Sequence, residues 1–205
     1  MGRPRTNDEA VKERLVVCAT EMLATGPRES VTVRSVAAAA DASTTAVYSL
    51  FGGKDGLIAA VRDRAVTGLF EELSAVPGSR DPLADLYALA VAYRAWGCGH
   101  RHLYAVLFGG VQSFEPSDAV GTRDPVGPLI AVIDRAVTDS VLAGETTSIA
   151  LSLWVTLHGL VTLELAGALD TPTAEAAFRS TVHATLRGWT TPAVFRELRH
   201  ADSAT

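Results

Sequence analysis

Apolar residues recur along this chain at intervals of three and four almost without a break, and nowhere do they alternate with polar ones over a strand's length. That period constrains the fold more than any other feature, because a 3.6-residue repeat turns one face of a helix toward a core. An all-α architecture is therefore expected. Val11, Leu15, Cys18 and Met22 form the first stripe, with Thr6 and Glu9 as a capping box ahead of it and Gly26-Pro27 as its stop. Thr32 is placed to cap a second, alanine-rich helix that buries Val33, Val36, Ala37 and Ala40. Ser43 caps a short third helix from about Thr44 to Leu50. Gly52-Gly53 then breaks the chain before a longer fourth helix carrying Leu57, Val61, Ala65 and Leu69.

Pro77-Gly78-Ser79 marks the start of a further region. Asp81-Pro82 opens a helix whose inward residues are Leu83, Leu86, Tyr87, Ala90 and Tyr93, and Gly97 to Gly99 is expected to interrupt it. Another helix runs from about His102 to Phe108, residues 110–124 form a loop, and Asp124-Pro125 opens a helix that ends near Gly144. A long apolar helix follows from about Glu145 to Ala168. Thr171-Pro172 opens the last substantial one, with Phe178, Val182, Leu186 and Trp189 in line, and Thr191-Pro192 starts a short final turn. The expected organisation is an N-terminal region at 1–53, a connecting helix at 54–76 and a larger C-terminal region at 77–205.

The stretch at 146–163 holds no acidic or basic residue apart from His158, but it carries several hydroxyls and lacks basic flanks. A helix buried by protein is expected there, not a membrane span. Two cysteines, Cys18 and Cys98, both inside apolar helical patterns, fit a reducing, cytoplasmic setting and two buried thiols. The net charge of −5 is unevenly divided: residues 1–65 hold nine basic and eight acidic side chains, and the rest hold nine and fifteen. That balance excludes a protein that coats nucleic acid nonspecifically, but it leaves room for a local DNA-reading patch.

Residues 33–50 have the form such a patch would take. Two short helices around a turn make a helix-turn-helix when the second presents small polar residues outward. The second helix here buries Val47, with Leu50 and Phe51 at its end, and leaves Thr44, Thr45, Tyr48 and Ser49 available. Threonine can bond a base edge or touch a thymine methyl, and Tyr48 and Lys54 suit phosphate oxygens. Arg3 and Arg5 form a basic arm ahead of the first helix that can enter a minor groove, or equally a solvated tail.

The segment ESVTVRSVAAAADASTTAVYSLFGGKDGLIAAV resembles the N-terminal DNA-binding domain of the TetR family of bacterial transcriptional regulators over about residues 8–60, with Tyr48, Phe51, Lys54 and Leu57 in order. The resemblance implies that Thr32 and Arg34 contact backbone or base, that Thr44 and Thr45 sit over base edges, and that Tyr48 and Lys54 hold phosphates. Asp41 departs from the family pattern, which has glycine in the turn. Aspartate tolerates left-handed backbone better than most residues, though a carboxylate near phosphate weakens the grip. Further on, Trp154, His158 and Gly159 resemble a Trp-x-x-x-His-Gly pattern in the ligand-binding domain of one branch of the family. The family's last two long helices pair with their copies, which implies a homodimer.

Aromatic residues at 93–114 and 151–158 are candidates to line a cavity or simply to fill the core: Tyr93, Trp96, Tyr104, Phe108, Trp154 and His158. His100 and His102 are two apart and so point to different sides of a helix, His158 and His183 have no cysteine or carboxylate at ligand spacing, and no nucleophile–base set or phosphate loop stands out, so no metal, cofactor or catalytic site is expected. The expected protein is a homodimeric, ligand-responsive regulator of operator DNA that acts as a repressor. The resemblance implies that a small, largely apolar effector shifts the fourth helix and spoils the spacing of recognition helices across successive major grooves. The alternative is a helical small-molecule-binding protein without DNA function, with Asp41 as its only hint.

Overall fold

The computed structural model describes residues 5–27, 30–108 and 124–203, with side chains from Asp8 to Leu198 within those stretches. Among the described residues the regular structure is helical throughout. The helices are α1 (Arg5–Thr25), α2 (Val33–Ala39), α3 (Thr44–Phe51), α4 (Lys54–Ser74), α5 (Pro82–Gly99), α6 (Arg101–Phe108), α7 (Gly127–Thr138), α8 (Thr146–Leu165), α9 (Thr171–Trp189) and α10 (Pro192–Ser203). The chain divides into two compact units, and α4 contributes residues up to Gly68 to the first and residues from Leu69 to the second. Residues 100–108 belong to the first unit as well.

In the first unit the periodic stripes do what their spacing predicts. Leu15, Val16 and Ala19 of α1, Val36 and Ala37 of α2, Val47 of α3, and Leu57 and Val61 of α4 form one buried core. The small alanine side chains let α1 and α2 approach closely, and α6 adds Val106 to the periphery of the same core. An exposed ion pair between Glu13 and Arg64 ties α1 to α4. Helix α1 starts at Arg5, one residue before its predicted cap, Thr6.

In the second unit α8 packs on α5, α7 and α9, and Leu86, Ile133, Ile149, Leu153, Val161, Phe178 and Val182 fill the space between. Two ion pairs fasten this bundle. Asp85 is buried, accepts from the Ser79 backbone N–H on both oxygens (3.0 and 2.9 Å), and pairs with Arg135 of α7. Burial alone would push its carboxyl up, but the Ser79 hydrogen bonds and the Arg135 guanidinium outweigh that and hold it below the usual carboxylate range. Arg94 of α5 makes a two-pronged bond to Glu164 at the end of α8 (2.7 and 2.8 Å). Helix α8 is long and apolar enough to cross a membrane by length and composition alone. One side of it, Ile149, Ala150, Leu153, Leu157 and Val161, is buried in the bundle, but Leu151, Val155 and Leu163 are exposed, so the burial on most sides expected from the sequence is not met within one chain.

Four further expectations are corrected. Helix α5 does not break at Gly97 but runs to Gly99, because an interior glycine costs only about 1 kcal/mol and tertiary packing covers it. Helix α7 ends at Thr138, well before Gly144. There Ser140 takes a left-handed backbone (φ 58°) and Leu142 pairs with Thr190. The segment after Thr191 is a twelve-residue helix and not a short turn. Cys98 is exposed, while Cys18 is partly buried. Most of the loop expected at 110–124 lies outside the described residues.

Candidate nucleic-acid interface

The interface is built from the caps outward. Thr32 stands at the N-cap of α2 with extended backbone, and its hydroxyl accepts from the Ser35 N–H at 3.0 Å. Ser35 returns the bond, accepting from the Thr32 N–H at 2.9 Å, a reciprocal box that the sequence reading missed. After Ala40 the chain turns through Asp41, whose φ is +48°. The Ala42 N–H then bonds back to the Ala37 carbonyl at 2.9 Å. Ser43 caps α3, accepting from the Ala46 N–H at 3.1 Å.

Helix α3 is anchored by one residue and displays the rest. Val47 is 0% exposed, while Tyr48 is 60% exposed and Thr44, Thr45 and Ser49 are all at the surface. Thr44 and Tyr48 lie one turn apart, as do Thr45 and Ser49, so four polar groups share the outward side. At the far end Gly52 takes the left-handed cap (φ 74°) and donates to the Tyr48 carbonyl at 2.9 Å. Lys54 opens α4 immediately afterwards, half-buried, where the helix dipole favours an anion. Thr32, the N-cap of α2, and Arg34 in its first turn are both exposed. Arg3 lies outside the described residues, and Arg5 falls in the first turn of α1 with its side chain likewise outside them.

Two residues that position this surface were not legible in the sequence. At Gly56 a Cβ would stand 1.8 Å from the Phe51 carbonyl oxygen, so only glycine lets α4 pass the end of α3. Arg14 of α1 donates from Nε to the Ala40 carbonyl at 3.1 Å, reaching the turn from outside the motif. Arg14 and Ala40 are 26 positions apart, and Phe51 and Gly56 meet across the break between two helices, so no single helix pattern flags either pair.

The six aromatic and imidazole candidates for a ligand cavity are distributed over both units. Tyr93 and Trp96 are buried on α5, and Trp154 stacks on His158 of α8 with ring centroids 5.2 Å apart and 9° between planes. Burial pushes the His158 imidazole down, favouring its neutral form. These four belong to the second unit. Tyr104 and Phe108, with ring centroids 4.8 Å apart, sit on α6 in the first. An open groove of about 400 Å³ in the second unit is lined instead by Tyr87, Val91, Arg94, Ala95, Cys98, Glu164, Glu175, Phe178 and Arg179. There burial and the Glu164 carboxylate raise the Cys98 thiol above its ordinary value.

Comparison with known proteins places these features in context. Residues 15–61 match the model of bacterial regulatory proteins of the tetR family, and residues 86–185 match that of the tetracyclin repressor-like C-terminal domain. An HTH-type transcriptional regulator of Mycobacterium tuberculosis, itself uncharacterized, is 28% identical over 195 residues, covering 88% of this chain and 86% of its own. Among solved structures, a TetR-family transcriptional regulator from Thermus thermophilus is similar at a TM-score of 0.67 and 20% identity, covering 87% of this chain and 96% of that one. A bacterial regulatory protein of the same family from Rhodococcus aligns at a TM-score of 0.68 and 19% identity, covering 86% and 95%.

Proposed function

The chain belongs to the TetR family of bacterial regulatory proteins, and we propose that it acts as a homodimeric repressor, released from its operator by a small, largely apolar effector. It is a DNA-binding transcriptional regulator; the sign of regulation, the effector and the pairing of subunits are the proposed parts. One observation carries the DNA-binding assignment of residues. Helix α3 is capped at both ends and pinned by buried Val47, and it presents Thr44, Thr45 and Tyr48 outward beside Lys54. Thr44 and Thr45 are assigned to base edges, and Tyr48 and Lys54 to phosphates, with Thr32 and Arg34 flanking them. The alternative of a binding protein without DNA function rested on Asp41. That residue takes the left-handed conformation the turn needs, so it lends the alternative no support.

Pairing of subunits is supported by α8. Leu151, Val155 and Leu163 are 53, 55 and 48% exposed, at successive turns of one side, and Gly159 lies between them with open space around it. A second copy seated there would bury a stripe that water otherwise meets. Effector binding is assigned to the second unit, where Tyr93, Trp96, Trp154 and His158 supply aromatic surface, while Tyr104 and Phe108 remain candidates on α6. Helix α4 holds residues of both units, so an effector that prefers one placement of α4 would bias the DNA-binding form by its differential affinity for the two. A cytoplasmic location follows from that role.

Electrophoretic mobility shift with duplexes from the region flanking the gene tests the DNA assignment. A salt-sensitive, sequence-selective shift is expected, and its absence with every flanking duplex would return the protein to the ligand-binding class.

A further inference from the structure

A tie from outside the motif holds the turn between α2 and α3. Arg14 on α1 donates from Nε to the Ala40 carbonyl at 3.1 Å across 26 positions, in part-buried surroundings. Ala40 is the C-cap residue of α2 and is itself buried, and its carbonyl is one that a helix end leaves without an intrahelical donor. Within the turn, the Asp41 N–H reaches the Ala38 carbonyl at 3.3 Å and the Ala42 N–H reaches that of Ala37 at 2.9 Å. Neither bond uses the Ala40 carbonyl. That oxygen belongs to the peptide plane joining Ala40 to Asp41, so holding it fixes rotation about the left-handed residue and hence the direction in which the chain enters α3.

We propose that Arg14 is a positioning residue for DNA recognition, setting through the Ala40 carbonyl the angle at which α3 presents Thr44 and Thr45. The proposal rests on the DNA-binding role argued above. Its rival is a direct phosphate contact by the exposed remainder of the guanidinium, and salt dependence separates the two. A phosphate ligand supports specific and nonspecific complexes alike and contributes about one unit to the salt slope. A residue that sets the angle of α3 supports only the specific complex.

The test uses the full-length chain and a duplex site enriched by the wild-type protein from a random-sequence pool. Binding of wild type and Arg14→Gln to that site and to an unrelated duplex is titrated over salt. Amide hydrogen exchange across residues 37–50 is followed without DNA. Arg14→Gln is expected to bind the selected site about tenfold more weakly while leaving the unrelated duplex and the salt slope unchanged. Exchange at Asp41 and Ala42 is expected to quicken. Unchanged affinity for the selected site overturns the proposal, as does equal loss on both duplexes with a shallower slope. If Arg14→Gln does not fold, Arg14→Met keeps the aliphatic stem and carries the same expectations. Failure of the wild type to enrich any site removes the DNA-binding role and this proposal with it, whereas the Arg14 outcomes leave that role standing.

Discussion

At position 41 the chain makes a left-handed turn without glycine, using aspartate at φ 48°. Its short polar side chain tolerates this region, where a β-branched residue would clash with its own backbone. Asp41→Asn should therefore keep the turn and remove a negative charge beside the assigned phosphate contacts. A few-fold gain in affinity for both selected and unrelated DNA is expected by fluorescence anisotropy. Thr45→Ala should relax preference at one operator position by roughly 1–3 kcal/mol, read by competition among single-base variants of the site. Lys54→Ala should instead weaken all DNA binding uniformly and lower the salt slope by about 1. Gly56→Ala has no room to succeed, because the clash is with the Phe51 backbone and not with a flexible side chain. A loss of about 3 kcal/mol in the first unit is expected from denaturant unfolding, with DNA binding lost alongside.

At the scale of elements, the two bundle ion pairs differ in what they fasten. Asp85 and Ser79 hold the start of α5 to Arg135 of α7, and Arg94 of α5 holds the end of α8 through Glu164. A carboxylate whose folded value is depressed contributes stability that is complete above its unfolded value, about 3.9 for aspartate, and is lost as pH falls through the lower folded value. Wild type should thus lose urea resistance steeply below about pH 4. Asp85→Asn should cost about 2–4 kcal/mol at neutral pH and flatten that acid limb. An acid limb as steep in the variant as in the wild type would assign the proton uptake elsewhere. The helices themselves were legible from the sequence because caps and breakers are local: Thr32, Ser43 and Gly52 each act on neighbours three or four residues away. The end of α7 was not legible, since Ser140 and not a glycine takes the left-handed cap there (φ 58°), with the Val141 N–H returning to the Ala136 carbonyl at 2.9 Å. The groove beside Tyr87 and Arg94 was missed because it is assembled from α5, α8 and α9 without a motif on any one of them.

For the molecule as a whole, the outward side of α8 decides whether one chain or two is the working particle. Val155→Lys on the exposed stripe should shift a dimer to monomer in sedimentation velocity at micromolar concentration while leaving the helical circular dichroism intact. A wild type that sediments as a monomer there would remove the pairing proposal outright. The face of α9 beside it carries Thr181, Ala184 and Gly188, all exposed, whereas Glu175 and Arg179 line the groove on the other flank. A partner on the first face would leave that groove open. The stripe of Leu151, Val155 and Leu163 also has a consequence for gene dosage. If two chains must meet before either holds its operator, occupancy at low copy number rises with the square of subunit abundance. A cell that halves its supply of this protein would then relieve the target gene by more than half, before any effector arrives.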